Sequence, residues 1–156
     1  MDLNHNLDAV KALIGHEVGL SPWFTIDQDT VNRHAESTGD DEWIHIDPER
    51  AARETPFGTP IVQGLLLLSQ LTRMTRSLQL PLENVAYRLN YGFERVRLVQ
   101  PVPVGSRVRG RFELKSVVPK GHHGLLINLD TSIWMESDDI APAAVAEYLA
   151  YVRFND

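Results

Sequence analysis

Asp40 and His45 stand close together in a polar segment, Gly39-Asp40-Asp41-Glu42-Trp43-Ile44-His45-Ile46-Asp47-Pro48. A carboxylate and an imidazole can exchange proton-donor and proton-acceptor duties near neutral pH, so a loop carrying both can take a proton from water and return one to carbon. A second segment follows, Pro56-Phe57-Gly58-Thr59-Pro60-Ile61-Val62-Gln63-Gly64, leading into an apolar run. If a helix starts there, its first turn offers unpaired N–H groups and the positive end of its dipole to an oxygen that gathers negative charge. Gly64 would let a ligand approach the backbone closely.

Taken singly, these residues have blander readings. An Asp after a Gly fits a turn or a cap, and His45 alone fits a hydrogen-bonded loop histidine. His122-His123 between two glycines fits a solvated turn better than a metal site, because no further ligand stands at metal-binding spacing. Arg88, Arg95, Arg97, Arg107, Arg109 and Arg111 could meet a phosphate, and their alternation fits the solvated face of strands equally well.

The elements that must position these groups follow from periodicity. Ile61, Leu65, Leu68, Leu71, Met74 and Leu78 recur at three- and four-residue steps, which predicts a helix from Thr59 to Leu78, roughly 30 Å long. Val62, Leu66 and Leu67 widen its apolar stripe, so other structure should wrap it. Shorter helices are predicted over Asp29 to Ser37 and Pro48 to Glu54, the latter with proline in its first turn. The period then changes to two. Val85 to Phe93, Arg107 to Lys115, Leu125 to Met135 and Val145 to Phe154 read as strands, and Val18 to Ile26 as an earlier one. About five strands joined by short turns predict an antiparallel sheet with one apolar face, covered by the long helix, hence an α+β domain. Apolar or aromatic residues on both faces, such as Ile133 with Trp134 and Tyr148 with Leu149, suggest burial in a dimer.

At 156 residues the chain suits a single domain. Fifteen basic residues against twenty-one acidic ones give a net charge of −6, which argues against nucleic acid as a partner. Without cysteine there is no disulfide and no thiolate nucleophile. The apolar stretch from Ile61 to Leu71 is too short and too polar to span a membrane. Met1 to Lys11 lacks the order of a signal peptide, so the expected location is cytoplasmic.

Gly-Asp, four residues, His, one residue, Asp-Pro, and then Pro-Ile-Val-X-Gly opening an apolar helix resembles the hydratase signature of the MaoC-like dehydratases, which include the (R)-specific enoyl-CoA hydratases. Leu89 to Arg97 and Pro101 to Val108 resemble the NodN-like branch. The likeness runs from about Thr25 to Phe154 and implies a hot-dog fold, in which a curved sheet wraps one helix, and a homodimer. It implies Asp40, rather than Asp41, and His45 as the catalytic pair, Gly64 as the oxyanion donor, and Thr72 as a hydroxyl supporting the Asp. The implied reaction is reversible, (R)-selective addition of water to a 2-enoyl thioester carried by coenzyme A or an acyl carrier, with no metal or redox cofactor. Two departures stand out: Glu42-Trp43 where many hydratases have Asn-Pro, and Gln63 where a His commonly precedes the oxyanion Gly, which bears on substrate fit. A hot-dog thioesterase and a non-catalytic acyl-binding module remain the alternatives.

Overall fold

The computed structural model describes residues 3–155, so Met1, Asp2 and Asp156 lie outside it. Helix α1 (Leu3–Lys11) precedes strands β1 (Glu17–Leu20) and β2 (Phe24–Thr25). Helices α2 (Gln28–Thr38), α3 (Trp43–Ile46), α4 (Pro48–Glu54), α5 (Gly64–Ser69) and α6 (Leu71–Met74) follow, then strands β3 (Val85–Leu98), β4 (Arg107–Pro119), β5 (Gly124–Met135) and β6 (Ala144–Phe154). The strands form one antiparallel sheet ordered β1-β4-β5-β6-β3, with β2 also paired to β4.

Leu66, Leu67, Leu71 and Met74 from the α5–α6 helix share one core cluster with Phe112, Leu114, Ile127, Leu129 and Ile133 from the sheet. The approach is close: a Cβ placed on Gly110 of β4 would lie 2.7 Å from the Met74 sulfur, so the glycine makes room for the helix. This is the α+β hot-dog arrangement, with six strands rather than five.

The long helix is shorter than its periodicity predicts. Residues 60–63 are extended and pair with the segment before β4, through Val62 N–H to the Val102 carbonyl (2.8 Å) and Val104 N–H to the Pro60 carbonyl (2.8 Å). Pro60 disfavours helical backbone at Thr59, and the apolar period carries on through an extended stretch that buries Val62 by other means. Gln70 N–H is shared between the Leu66 and Leu67 carbonyls, and the helix tightens to a 3-10 turn at Thr75–Ser77. The rod from residue 64 to 77 is therefore about 20 Å long.

The first predicted strand is two pieces because Pro22 has no N–H for the ladder. Ser21 bridges the break: its N–H bonds the Gly110 carbonyl and its hydroxyl accepts from Gly110 N–H (2.9 Å). Helix α1 was not predicted, although Leu3, Leu7 and Val10 carry its 3.6 period. Buried Asn6 latches it by accepting from Glu83 N–H (2.8 Å) and donating to the Glu83 carbonyl (3.2 Å). Strand β3 continues five residues past Phe93, with bulges and an Arg95 φ of 51° that no hydropathy pattern signals.

On the sheet face away from the helix, buried Glu147 accepts from Lys115 (2.6 Å), Asn128 (3.0 Å) and Arg95 (3.1 Å). The Lys115 hydrogen bond, followed by that of Asn128, holds its carboxyl below the usual glutamate range against the opposing effect of burial, and in turn raises Lys115. A depressed folded-state value means stability present above the unfolded glutamate range and lost as pH falls through the folded one. Thermal melts should therefore show an acid-side loss of stability that Glu147→Gln diminishes. An unaltered acid limb would contradict this.

Candidate active site

Helix α2 ends at Gly39, whose left-handed backbone (φ 77°) turns the chain and whose N–H bonds the Ala35 carbonyl (2.8 Å). That turn presents Asp40, half-buried, with its N–H on the Thr38 hydroxyl (3.3 Å) and its carbonyl accepting from Gln63 Nε2 (3.2 Å). None of these bonds uses the Asp40 carboxylate. Asp41 is exposed and lines a separate hollow with Asn32, Glu36 and Ile46.

His45 rides on the single turn α3. Its Nδ1 lies 2.7 Å from the Ile61 carbonyl, and its own carbonyl accepts from Gln28 Nε2 (2.8 Å). A carbonyl oxygen can only accept, so Nδ1 carries a proton, and in the neutral ring Nε2 is the nitrogen that keeps its lone pair. Ile61 N–H bonds the Ile44 carbonyl (3.1 Å), which stitches α3 to the strand-like entry of the long helix. Trp43 is fixed by the Arg50 guanidinium, 4.0 Å from its ring centroid, and Asp47 caps α4 by accepting from Arg50 N–H (2.9 Å). Asp47-Pro48 is thus a helix start that frames the site.

Gly64 is the first residue of α5, and among the described residues no side chain caps that end. A Cβ on Gly64 would collide with the Leu98 side chain of β3, so the glycine admits β3 to the helix mouth. Gln63 is completely buried (0 % exposed), its amide turned inward to the Val31 and Asp40 carbonyls. Asp40 and His45 are thus both bonded to the extended segment 61–63, which leads directly into Gly64.

Thr72 does not join them. It lies two turns on, about 12 Å along the helix, and its hydroxyl accepts from Asn90 Nδ2 (2.9 Å). Asn90 in turn accepts from the Tyr148 hydroxyl, whose ionisation burial pushes up. These three line a cavity of about 300 Å3 whose other walls include Leu78, Leu82, Leu89, Ile127 and Leu129. Several of the arginines considered for a phosphate are already engaged: Arg95 with Glu147, Arg107 with Glu136 (2.6 Å), Arg111 with Glu17 (2.6 Å) and Arg109 over Trp23. His122 and His123 are exposed in the β4–β5 turn. Sequence reasoning missed Ile61, Gln28 and Arg50. A main-chain acceptor such as the Ile61 carbonyl leaves no side-chain signal, whereas Arg50 stands one helical turn beyond Asp47 and was legible as a surface charge only.

A family model described as a MaoC-like domain matches residues 9–125, spanning the Asp40–His45 segment and the helix mouth. The chain belongs to the MaoC-like domain family. The 3-hydroxyacyl-thioester dehydratase Z of Mycobacterium tuberculosis is 43% identical over 138 residues, covering 88% of this chain and 89% of that protein. Nodulation protein N of Rhizobium leguminosarum bv. viciae is 39% identical over 150 residues, covering 96% and 92%. Among solved structures, the (R)-hydratase of A. caviae superposes with a TM-score of 0.66 at 26% identity, covering 86% of this chain and 95% of that one. The MaoC-like dehydratase of Rhodospirillum rubrum gives 0.70 at 16% identity, covering 92% and 94%. These MaoC-like relatives place the chain within the (R)-hydratase and 3-hydroxyacyl dehydratase family, a family of hydro-lyases.

Proposed function

We propose that this MaoC-like protein adds water reversibly, and (R)-selectively, across the double bond of a 2-enoyl thioester, with Asp40 and His45 acting on one water molecule. The observation that carries this is the His45 Nδ1 contact with the Ile61 carbonyl, which in the neutral ring leaves Nε2 to accept a proton, on the same short segment whose Gln63 bonds the Asp40 carbonyl and precedes Gly64. Water loses one proton to the pair as its oxygen bonds the β-carbon. The C=C electrons move towards the thioester oxygen, where the Gly64 N–H stabilises the charge. The pair then returns one proton to the α-carbon and ends as it began. The balance calls for no electron carrier and no metal. The acyl group is carried as a coenzyme A or acyl-carrier thioester, and the cavity below Thr72 suits its apolar chain. Purified protein mixed with crotonyl-CoA should lower the conjugated-thioester absorbance to an equilibrium level and yield the (R)-3-hydroxy product. Release of free thiol instead would favour a thioesterase.

The working form in this reading is a homodimer. Among the described residues the outer edge of β3 ends the sheet without a partner strand, and Tyr87, Leu89, Tyr91 and Leu98 on it are each about half exposed. A long, apolar, unpaired edge is a template for pairing with a second copy. Sedimentation should give a dimer that Tyr87→Glu shifts towards monomer. A wild-type monomer at assay concentration would contradict this.

A further inference from the structure

Gln63 occupies a position where stability alone gives no reason for an amide. Its Nε2 spends both hydrogens, one on the Val31 carbonyl and one on the Asp40 carbonyl, each at 3.2 Å. Its Oε1 is buried without a donor among the described residues, a costly state for an acceptor. The Val31 carbonyl does not depend on the clamp to be satisfied, because it lies inside α2 and also serves the helical ladder to Ala35, and Asp40 is only partly buried. A leucine at this site would remove the orphaned acceptor and fill similar space. What it could not do is tie the turn carrying Asp40 to the residue that immediately precedes Gly64.

We infer that Gln63 is a positioning residue: it sets the main chain of Asp40 at a fixed place relative to the Gly64 N–H, and so sets the geometry in which the carboxylate meets the water. The base of the clamp is rigid, because the Gln63 carbonyl accepts from Leu67 N–H (3.0 Å) in the first turn of α5 and the neighbouring Val62 N–H bonds the Val102 carbonyl (2.8 Å). A planar amide reaches two carbonyls from one nitrogen, whereas a histidine carries at most one hydrogen on each nitrogen, and its two nitrogens point in different directions. In this chain the side chain therefore works through Asp40 and touches no substrate. The inference rests on the assignment of Asp40 to the proton transfer.

The test compares wild type with Gln63→Leu, Gln63→Met and Gln63→His by kinetics on crotonyl-CoA, thermal melting, and hydrogen exchange of the peptides covering residues 38–46. The leucine and methionine variants should melt within a few degrees of wild type. They should lose kcat on the order of ten- to a hundredfold with KM within about threefold, and exchange faster at residues 39–45. Histidine, with one donor, should recover part of the loss. If leucine does not fold, methionine, which is unbranched and adaptable, reports instead. Unchanged kcat, or a kcat loss that merely follows the fall in melting temperature with local exchange unaltered, would overturn the role. If the wild type hydrates no enoyl thioester, the functional reading fails by itself, and exchange alone decides the clamp: protection at 39–45 that survives Gln63→Leu overturns it.

Discussion

Asp40→Asn is expected to lower kcat by a factor on the order of 100 to 10,000 while leaving KM and the melting temperature near their wild-type values. The turn that presents residue 40 is held through its main chain, by Gly39 N–H on the Ala35 carbonyl, Asp40 N–H on the Thr38 hydroxyl, and the Gln63 amide on the Asp40 carbonyl. An isosteric amide keeps all three and loses only the ability to exchange a proton. A loss confined to kcat marks a contact made in the transition state rather than in substrate binding. Initial rates on an enoyl-CoA together with a melt decide the matter. Wild-type turnover in a folded Asp40→Asn protein would remove the carboxylate from the mechanism.

His45→Ala should cost a similar factor, on the order of 100 or more, and here stability falls too. The imidazole Nδ1–H is the donor to the Ile61 carbonyl at the entry to the long helix. Its removal leaves a half-buried acceptor short of a partner, worth roughly 1–3 kcal/mol. His45→Gln separates the two effects, because a side-chain amide can again donate to that carbonyl but offers no basic nitrogen to water. The expected result is a melting temperature partly restored with turnover still lost. Recovery of turnover in His45→Gln would mean that the ring matters for its hydrogen bond alone.

The candidate residues Asp40, His45 and Gly64 could be picked out because they come with short, fixed spacings, and the fold was legible because a strand period following a helix period leaves few architectures. What escaped was decided by the main chain. The helix was expected from Thr59, but Pro60 and the pairing of residues 60–63 with 102–104 hold that stretch extended, so the mouth lies at Gly64 itself. The single turn α3 is too short for any periodicity to register, yet it is what aims His45 at the Ile61 carbonyl. The family resemblance implied a Thr72 hydroxyl beside Asp40, two helical turns on from Gly64. A residue in that register shares a face but not a location, and its hydroxyl meets Asn90 from β3 instead. Gln63 looked like a substitution bearing on substrate fit. Its burial and its two carbonyl partners turn it towards Asp40, which no pattern of residue types along one chain could have shown.

The central claim is that one carboxylate and one imidazole serve a single water molecule, and a kinetic double-mutant cycle tests it most directly. With Asp40→Asn, His45→Gln and the double variant assayed on the same enoyl-CoA, groups acting as a unit should give a double variant about as slow as the slower single one. If the two losses multiply in full, the residues act independently and the shared-water account is wrong.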